Sequence, residues 1–401
     1  MPDTPKKPTR RPLLDRALRA TLAVLALVVL ILALAEWIAR KTCDQPVEPY
    51  TQHPLFHLVR TPSYKQKKLS IEEPPYWFDF EANALGFRGK KMQKPRKDDA
   101  TTYRIFFVGA STTENMHLPE EKTFAGLVEA RLDETCKNAP RIEVSNCGIA
   151  GFGIARSLSL VEHRILNLDP DLVVVLDAEN DFMTSIDERF DPANGLLAWD
   201  EPTLKDLLVQ KSRLFAVLNS KASHKDDDTR RFFDRRRARA RAKEKAELEK
   251  SGQKYWVPQV DDQGKPIDLL KFLPTYERYL GWMALVCKDA NVPVVFMTQP
   301  TLWKEKNSPE EEDAMWMSDF PIGETHLSPQ KCAELMRAYN ASIKKMGDLY
   351  KVPVVDLAAS VPKDLAHFCD DAHLTAAGNV SVADAIMATI FKDGKLPGRS
   401  R

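Results

Sequence analysis

Asp370 and His373 stand three residues apart in Phe368-Cys369-Asp370-Asp371-Ala372-His373-Leu374-Thr375, and Ser111 lies far upstream in Gly109-Ala110-Ser111-Thr112-Thr113. A serine hydroxyl attacks an acyl carbon only when a base takes its proton. An imidazole can be that base, and a carboxylate behind it fixes the tautomer. Ser111, His373 and Asp370 are thus candidates for nucleophile, base and orienting acid in acyl transfer. Asp371 also neighbours His373, but the three-residue spacing favours Asp370. Two sites between them could supply an oxyanion hole: Gly151 in Asn146-Cys147-Gly148-Ile149-Ala150-Gly151, and Asn180 in Ala178-Glu179-Asn180-Asp181. Taken singly, each motif has a bland explanation. Ser111 could cap the next helix, the glycines could form a plain loop, and Asn180 could be an N-cap. The ordered set is what points to catalysis.

The elements that must position these groups follow from the hydrophobic pattern. From residue 103 onward, short β-branched or aromatic runs alternate with helical patterns. Strands are expected at Arg104–Val108, Ile142–Asn146, Leu172–Leu176, Val292–Thr298 and Val352–Asp356. All but the second are apolar runs with little alternation, the pattern of strands covered on both faces. Helices are expected at Phe124–Thr135, Ile154–Leu166, Thr275–Ala290, Pro329–Tyr350 and Ala376–Phe391. Ser328-Pro329 is an N-cap followed by proline at the first helical position. Such alternation implies an α/β fold with a doubly wound, five-stranded parallel sheet. Ser111, Gly151, Asn180 and the Asp370/His373 pair then each follow the carboxyl end of a different strand, the edge where open α/β sheets bind ligands.

The order G-x-S, N-x-G-x-x-G, x-x-N-D and D-x-x-H-x-T-x-x-G resembles the SGNH/GDSL hydrolase superfamily, in particular its membrane-anchored bacterial members. The resemblance runs from about residue 79, where Asn83-Ala84-Leu85-Gly86-Phe87-Arg88 is similar to a common lead-in, to about residue 392, insertion excluded. It implies a flavodoxin-like fold and assigns Ser111 as nucleophile, His373 as base and Asp370 as its orienting carboxylate. It makes the Ser111 N–H, the Gly151 N–H and the Asn180 amide the oxyanion hole. Two positions depart from the family pattern. Ala110 stands where Asp usually precedes the serine, and Glu114-Asn115 occupy a place that often carries glycine, where Asn tolerates φ > 0 better than most residues. A neutral His373 near pH 7 is the expected base.

Before the α/β region, Ala20 to Ala39 is interrupted only by Thr21 and Glu36 and flanked by Arg19 and Arg40. At about 1.5 Å per residue it spans roughly 30 Å, one bilayer core. Lys6, Lys7, Arg10, Arg11, Arg16 and Arg19 precede it, whereas Asp44 and Glu48 follow Arg40 and Lys41. The charge bias puts residues 1–19 in the cytoplasm and exports everything after residue 40, a single-pass inner-membrane protein with a periplasmic domain. Ala33-Leu34-Ala35 resembles a signal-peptide cleavage site, but the apolar run continues through Trp37-Ile38-Ala39, which favours a retained anchor. Residues 40–100, rich in Pro and Lys, suggest a stalk and an irregular lead-in, with the hydrolase-like domain at 101–395.

An insertion at about 183–272 interrupts that domain. Within it Arg230 to Lys245 carries nine basic residues against Asp234 and Glu244, an exposed solvated helix by default or a patch for anionic lipid or glycan. Six cysteines would face an oxidising compartment, with pairings the spacing does not choose. No Cys/His cluster has metal-ligand spacing, so neither metal nor cofactor is expected. A net charge of +1 gives no global pointer to nucleic acid, and no P-loop or G-x-G-x-x-G follows the first strand. The leading expectation is a tethered esterase acting on an ester-bearing small molecule, glycan or lipid. An envelope acyltransferase needs the same groups, and a non-catalytic scaffold is the alternative of another class. Trp303 and Ala314-Met315-Trp316-Met317 are further candidates, for an acyl pocket or for ordinary packing.

Overall fold

The computed structural model describes residues 11–42, 49–53, 55–72, 74–89, 92, 102–136, 141–186, 204–223, 268–316 and 327–398. They belong to two compact units, one drawn from residues 1–48 and 202–225 and the other from the remainder. In the first unit, α1 (Arg11–Thr42) is one unbroken helix. Its segment Arg16–Thr42 is long and apolar enough to cross a membrane, a property shared with signal sequences.

Part of the stretch expected as stalk and irregular lead-in is regular. From Tyr50 the chain folds into two antiparallel hairpins, β1 (Tyr50–His53) with β2 (His57–Arg60) and β3 (Lys65–Leu69) with β4 (Trp77–Glu81). Strand β4 alternates exposed and buried residues, placing Phe78 and Phe80 inside with Tyr64 and Ala82. Lysines and prolines made this stretch look irregular, but the period-two burial of a few aromatics is enough to build it.

The second unit is built on β5 (Thr102–Gly109), β6 (Arg141–Asn146), β7 (Leu172–Leu176), β8 (Val294–Met297) and β9 (Val354–Val355), all parallel and ordered β6-β5-β7-β8-β9. Every residue of β7 is buried, as are Ile105 to Val108 of β5, as two covered faces require. The chain order reverses between β5 and β7, so a crevice is expected at their carboxyl ends. Strand β9 is shorter than its apolar run because Pro353 cannot donate to a ladder and Val352 N turns back to Gly347 O at 2.8 Å.

Around the sheet lie α2 (Ser111–Glu114), α3 (Phe124–Thr135), α4 (Ile154–Leu160) and α5 (Glu179–Ile186). Helices α6 (Leu204–Lys211) and α7 (Arg213–Ser223) belong to the first unit. Then come α8 (Leu273–Asp289), α9 (Pro309–Ala314), α10 (Pro329–Tyr350), α11 (Leu357–Ser360) and α12 (Ala376–Thr389). Helices α3 and α10 have the expected bounds, because Thr123 and Ser328 cap them through Gly126 N and Lys331 N. The helix expected at Ile154–Leu166 is α-helical only to Leu160, then widens into a π turn, Val161–Ile165. Ile154, Leu158, Val161 and Ile165 all stay buried, so the apolar face survives the slip in hydrogen bonding. Arg230–Lys245 lies outside the described residues. Among the described cysteines, Cys136, Cys147, Cys287 and Cys332 are free thiols.

Candidate active site

The first element of the site is the turn at the end of β5. A side chain on Gly109 would collide with the Leu176 carbonyl of β7 and with Thr113 Oγ1, so glycine is what allows the two strand ends to close up. Ala110 is the N-cap of α2, and its carbonyl accepts from Thr113 N at 3.1 Å and Glu114 N at 2.9 Å. Ser111 is the first helical residue, so the reading in which it caps the helix does not describe this turn. Asn115 closes it in the left-handed region, φ 47°, the conformation its residue type tolerates.

The second element is the loop before α12. His373 Nδ1 lies 2.8 Å from Asp370 Oδ2 and 3.0 Å from Oδ1. Asp370 Oδ1 also accepts from the backbone N–H of Ala372 and His373 at 3.0 and 2.8 Å. Trp316 Nε1 donates to Asp370 Oδ2 at 2.8 Å. Asp371 is occupied elsewhere, taking Trp303 Nε1 at 2.8 Å and Trp316 N at 2.6 Å. The two adjacent aspartates thus divide the work: one meets the imidazole and the other anchors the loop. With Nδ1 committed to Asp370, proton transfer would fall to Nε2. Trp303 is fully buried, 5.4 Å from the Phe182 ring, so its role is core and anchor, not pocket wall. Met317 lies outside the described residues.

Strand β9 is separated from β5 by two strands, so the chain must cross back to bring His373 near Ser111. Three contacts secure that return. Asn379 Oδ1 accepts from Phe124 N at 2.8 Å, and Asn379 Nδ2 donates to Asn115 Oδ1 at 3.2 Å. His117 Nε2 lies 2.8 Å from Leu374 O, with its ring edge-on to His373 at 6.0 Å. A carbonyl only accepts, so His117 carries its proton on Nε2. The segment after α2 is thereby held against the segment that carries the base. Among the described residues no hydrogen bond joins Ser111 Oγ to His373; such bonds commonly tighten only when substrate is bound.

The two expected donor sites are held in the same neighbourhood. Ile149 N donates to Gly109 O at 3.0 Å, and Gly148 packs so closely on the Glu114 backbone that no side chain fits. Gly151 adopts φ +80° with open space where a side chain would be, so strain rather than crowding calls for glycine there. Asn180 Nδ2 donates to Phe152 O at 2.7 Å, which orients the amide and leaves its second N–H uncommitted in that bond. Asp181 holds the start of α4 through Ile154 N at 3.1 Å.

Sequence reasoning missed the group that holds the Gly151 loop. Glu114 is 1% exposed, yet its carboxylate accepts from Ala150 N at 2.8 Å, Tyr50 Oη at 2.5 and 2.7 Å, and pairs with Arg60 Nη2 at 2.9 Å. Arg60 Nη2 also bonds Gly148 O, and Arg88 Nη1 donates to Glu114 O and Asn115 O at 2.6 and 2.8 Å. Both guanidinium groups lie over the Phe80 ring, at 5.2 and 4.6 Å. The hairpins therefore brace the serine turn and the glycine loop together. The signal available was Glu114-Asn115, standing at a place that often carries glycine in the family the sequence resembles.

The electrostatics change the expected pH behaviour. Burial alone would lower the His373 pKa, but the Asp370 charge and hydrogen bond outweigh it and raise it to about 9. Burial would raise Asp370, and the His373 charge with three hydrogen bonds outweighs that, holding it below the ordinary carboxylate value. Burial pushes Glu179 up to about 7, against the pull of His373. The pairing therefore favours imidazolium with carboxylate, a shift away from the neutral base expected from sequence. A protonated imidazole accepts nothing, so kcat/KM for an ester should rise roughly tenfold per pH unit below pH 8 and level off near 9. In Asp370→Asn the limb should move to lower pH with a lower plateau. A stopped-flow pH profile that is flat from pH 6 upward would contradict this.

No family model and no curated protein matches the chain. Among solved structures it is similar to the acetyl xylan esterase AlAXEase, with 16% identity over 72% of this chain and 99% of that one, TM-score 0.38. It is similar also to an acetylxylan esterase from Geobacillus stearothermophilus, 14% identical over 75% and 100% of the two chains, TM-score 0.41. An α/β hydrolase from the metagenome of Lake Arreo, Spain, is 12% identical over 73% and 97%, TM-score 0.40.

Proposed function

We propose that this chain is a membrane-tethered serine esterase that cleaves an acyl ester of an extracytoplasmic small molecule, glycan or lipid. The observation that carries the reading is the buried Asp370–His373 couple, held through His117 and Asn379 against the turn of Ser111. His373 Nε2 takes the Ser111 proton as Oγ attacks the acyl carbon. The Gly151 N–H and the free Asn180 N–H meet the developing oxyanion, and each such donor is typically worth about 3–4 kcal/mol in the transition state. The imidazolium then protonates the departing alcohol, Asp370 stabilising its charge, and water deacylates the serine by the same steps reversed. The apolar run Ala20–Ala39 with its basic N-terminal flank supports a tether that places the enzyme outside the cytoplasm.

The test is active-site labelling. The full-length protein in detergent, treated with a fluorophosphonate, should take up one equivalent, and peptide mapping should locate the adduct on Ser111. Absence of an adduct at alkaline pH, or an adduct on another serine, would exclude the assignment.

A further inference from the structure

Glu36 is a carboxylate within the apolar stretch of α1, where an unpaired charge is costly. Three of its four partners come from the insertion, more than 170 residues away. Oε2 accepts from Ser212 Oγ at 2.8 Å and Leu214 N at 2.9 Å. Oε1 accepts from Arg213 N at 2.9 Å and from Arg40 Nε at 2.7 Å. Arg40, one turn further along α1, donates from Nη2 to the carbonyl of Lys211 at 3.0 Å. Lys211 ends α6 and Arg213 begins α7. The carboxylate thus sits on the N-terminal amides of one helix, and the guanidinium sits on the last carbonyl of the other. Each charge meets the helix end of opposite partial charge.

We infer that the α6–α7 hairpin is a membrane-surface foot, clasped by Glu36 and Arg40 where α1 leaves the bilayer and docked on the lipid headgroup layer. The inference rests on the reading of α1 as a membrane span. Continuity with that span chooses the occupant, because Trp37 and Ile38 beside the clasp are exposed at 57% and 46%, and tryptophan favours the interfacial level. The hairpin offers the same mixed surface. Leu204 and Leu218 are exposed at 73% and 56%, and Leu204–Ser223 carries Lys205, Lys211, Arg213 and Lys221 against Asp206. Apolar side chains among basic ones are what an interfacial helix presents to anionic lipid. Water-exposed leucines would gain nothing on a hairpin held away from the membrane.

The full-length protein, reconstituted in phosphatidylcholine vesicles containing phosphatidylglycerol, provides the test. p-Benzoylphenylalanine replaces Leu218, Leu208 or, as a span control, Leu30, and lipid adducts are counted by mass after irradiation. Adducts are expected at all three positions. Glu36→Ala should cut those at 208 and 218 at least fivefold and leave that at 30 unchanged. Lipid adducts at 30 with none at 208 or 218 would overturn the foot while sparing the span, as would protein dimers in place of lipid adducts at 218. Adducts at 208 and 218 that are indifferent to Glu36→Ala would overturn the clasp. Absence of adducts at 30 would remove the span and the foot together.

Discussion

Ser111→Ala is expected to lower turnover of an activated acetyl ester by roughly 10^4-fold or more, the loss typical when a serine nucleophile is removed from such a site. Thermal unfolding should stay within about a degree of wild type, for two reasons visible in the fold. Ser111 does not cap α2, whose N-cap is Ala110, and alanine is a better helix former than serine. The closing bonds of the turn, from Thr113 N and Glu114 N to Ala110 O, are backbone bonds that survive the change. Residual activity should come from the donors proposed at Gly151 and Asn180, so it should exceed the buffer rate. Equal turnover by the alanine protein would end the assignment of Ser111.

The second large effect is on stability. Arg60→Met leaves the Glu114 carboxylate, 1% exposed like Arg60, without its only arginine side-chain ion pair among the described residues. Removing one partner of a buried pair costs about 3–5 kcal/mol, which for a large domain corresponds to roughly 6–20 °C in Tm. Adding Glu114→Leu should restore much of that loss, because the stranded charge is gone. Activity should not return with stability, since the Ala150 N–H bond to Glu114 is what steadies the backbone beside Gly151. Calorimetry on the single and double variants checks the first claim, and ester turnover checks the second. A double variant as unstable as Arg60→Met would show that the pair acts through packing and not through charge.

What could be read in the sequence was local. Helices α3 and α10 were legible end to end because Thr123 and Ser328-Pro329 carry the cap in neighbouring residues. The parallel, doubly wound sheet was implied by alternation, whereas its strand order was not, and the proposed site segments each follow a different strand. The supporting groups were not legible, because they are pairs between distant charges. Arg60 with Glu114, and Glu36 with the start of α7, look in sequence like charged residues bound for solvent or membrane boundary. Burial of an ion pair is a property of two sites at once, and nothing beside either residue announces it. Trp316 was visible as an aromatic of uncertain use; its indole bond to Asp370 depends on where a separate loop closes. The raised pKa of His373 was not legible for the same reason, since it is set by a carboxylate buried with it.

The hairpins have a practical corollary for proteolysis. All five proposed reactive groups lie beyond residue 110, so a soluble fragment trimmed to β5 would keep each of them. It would also discard Tyr50, Arg60, Phe80 and Arg88, and with them the grip on Glu114. A protease that nicked and released this N-terminal collar should therefore abolish the proposed activity without touching any of the five groups proposed to meet an ester.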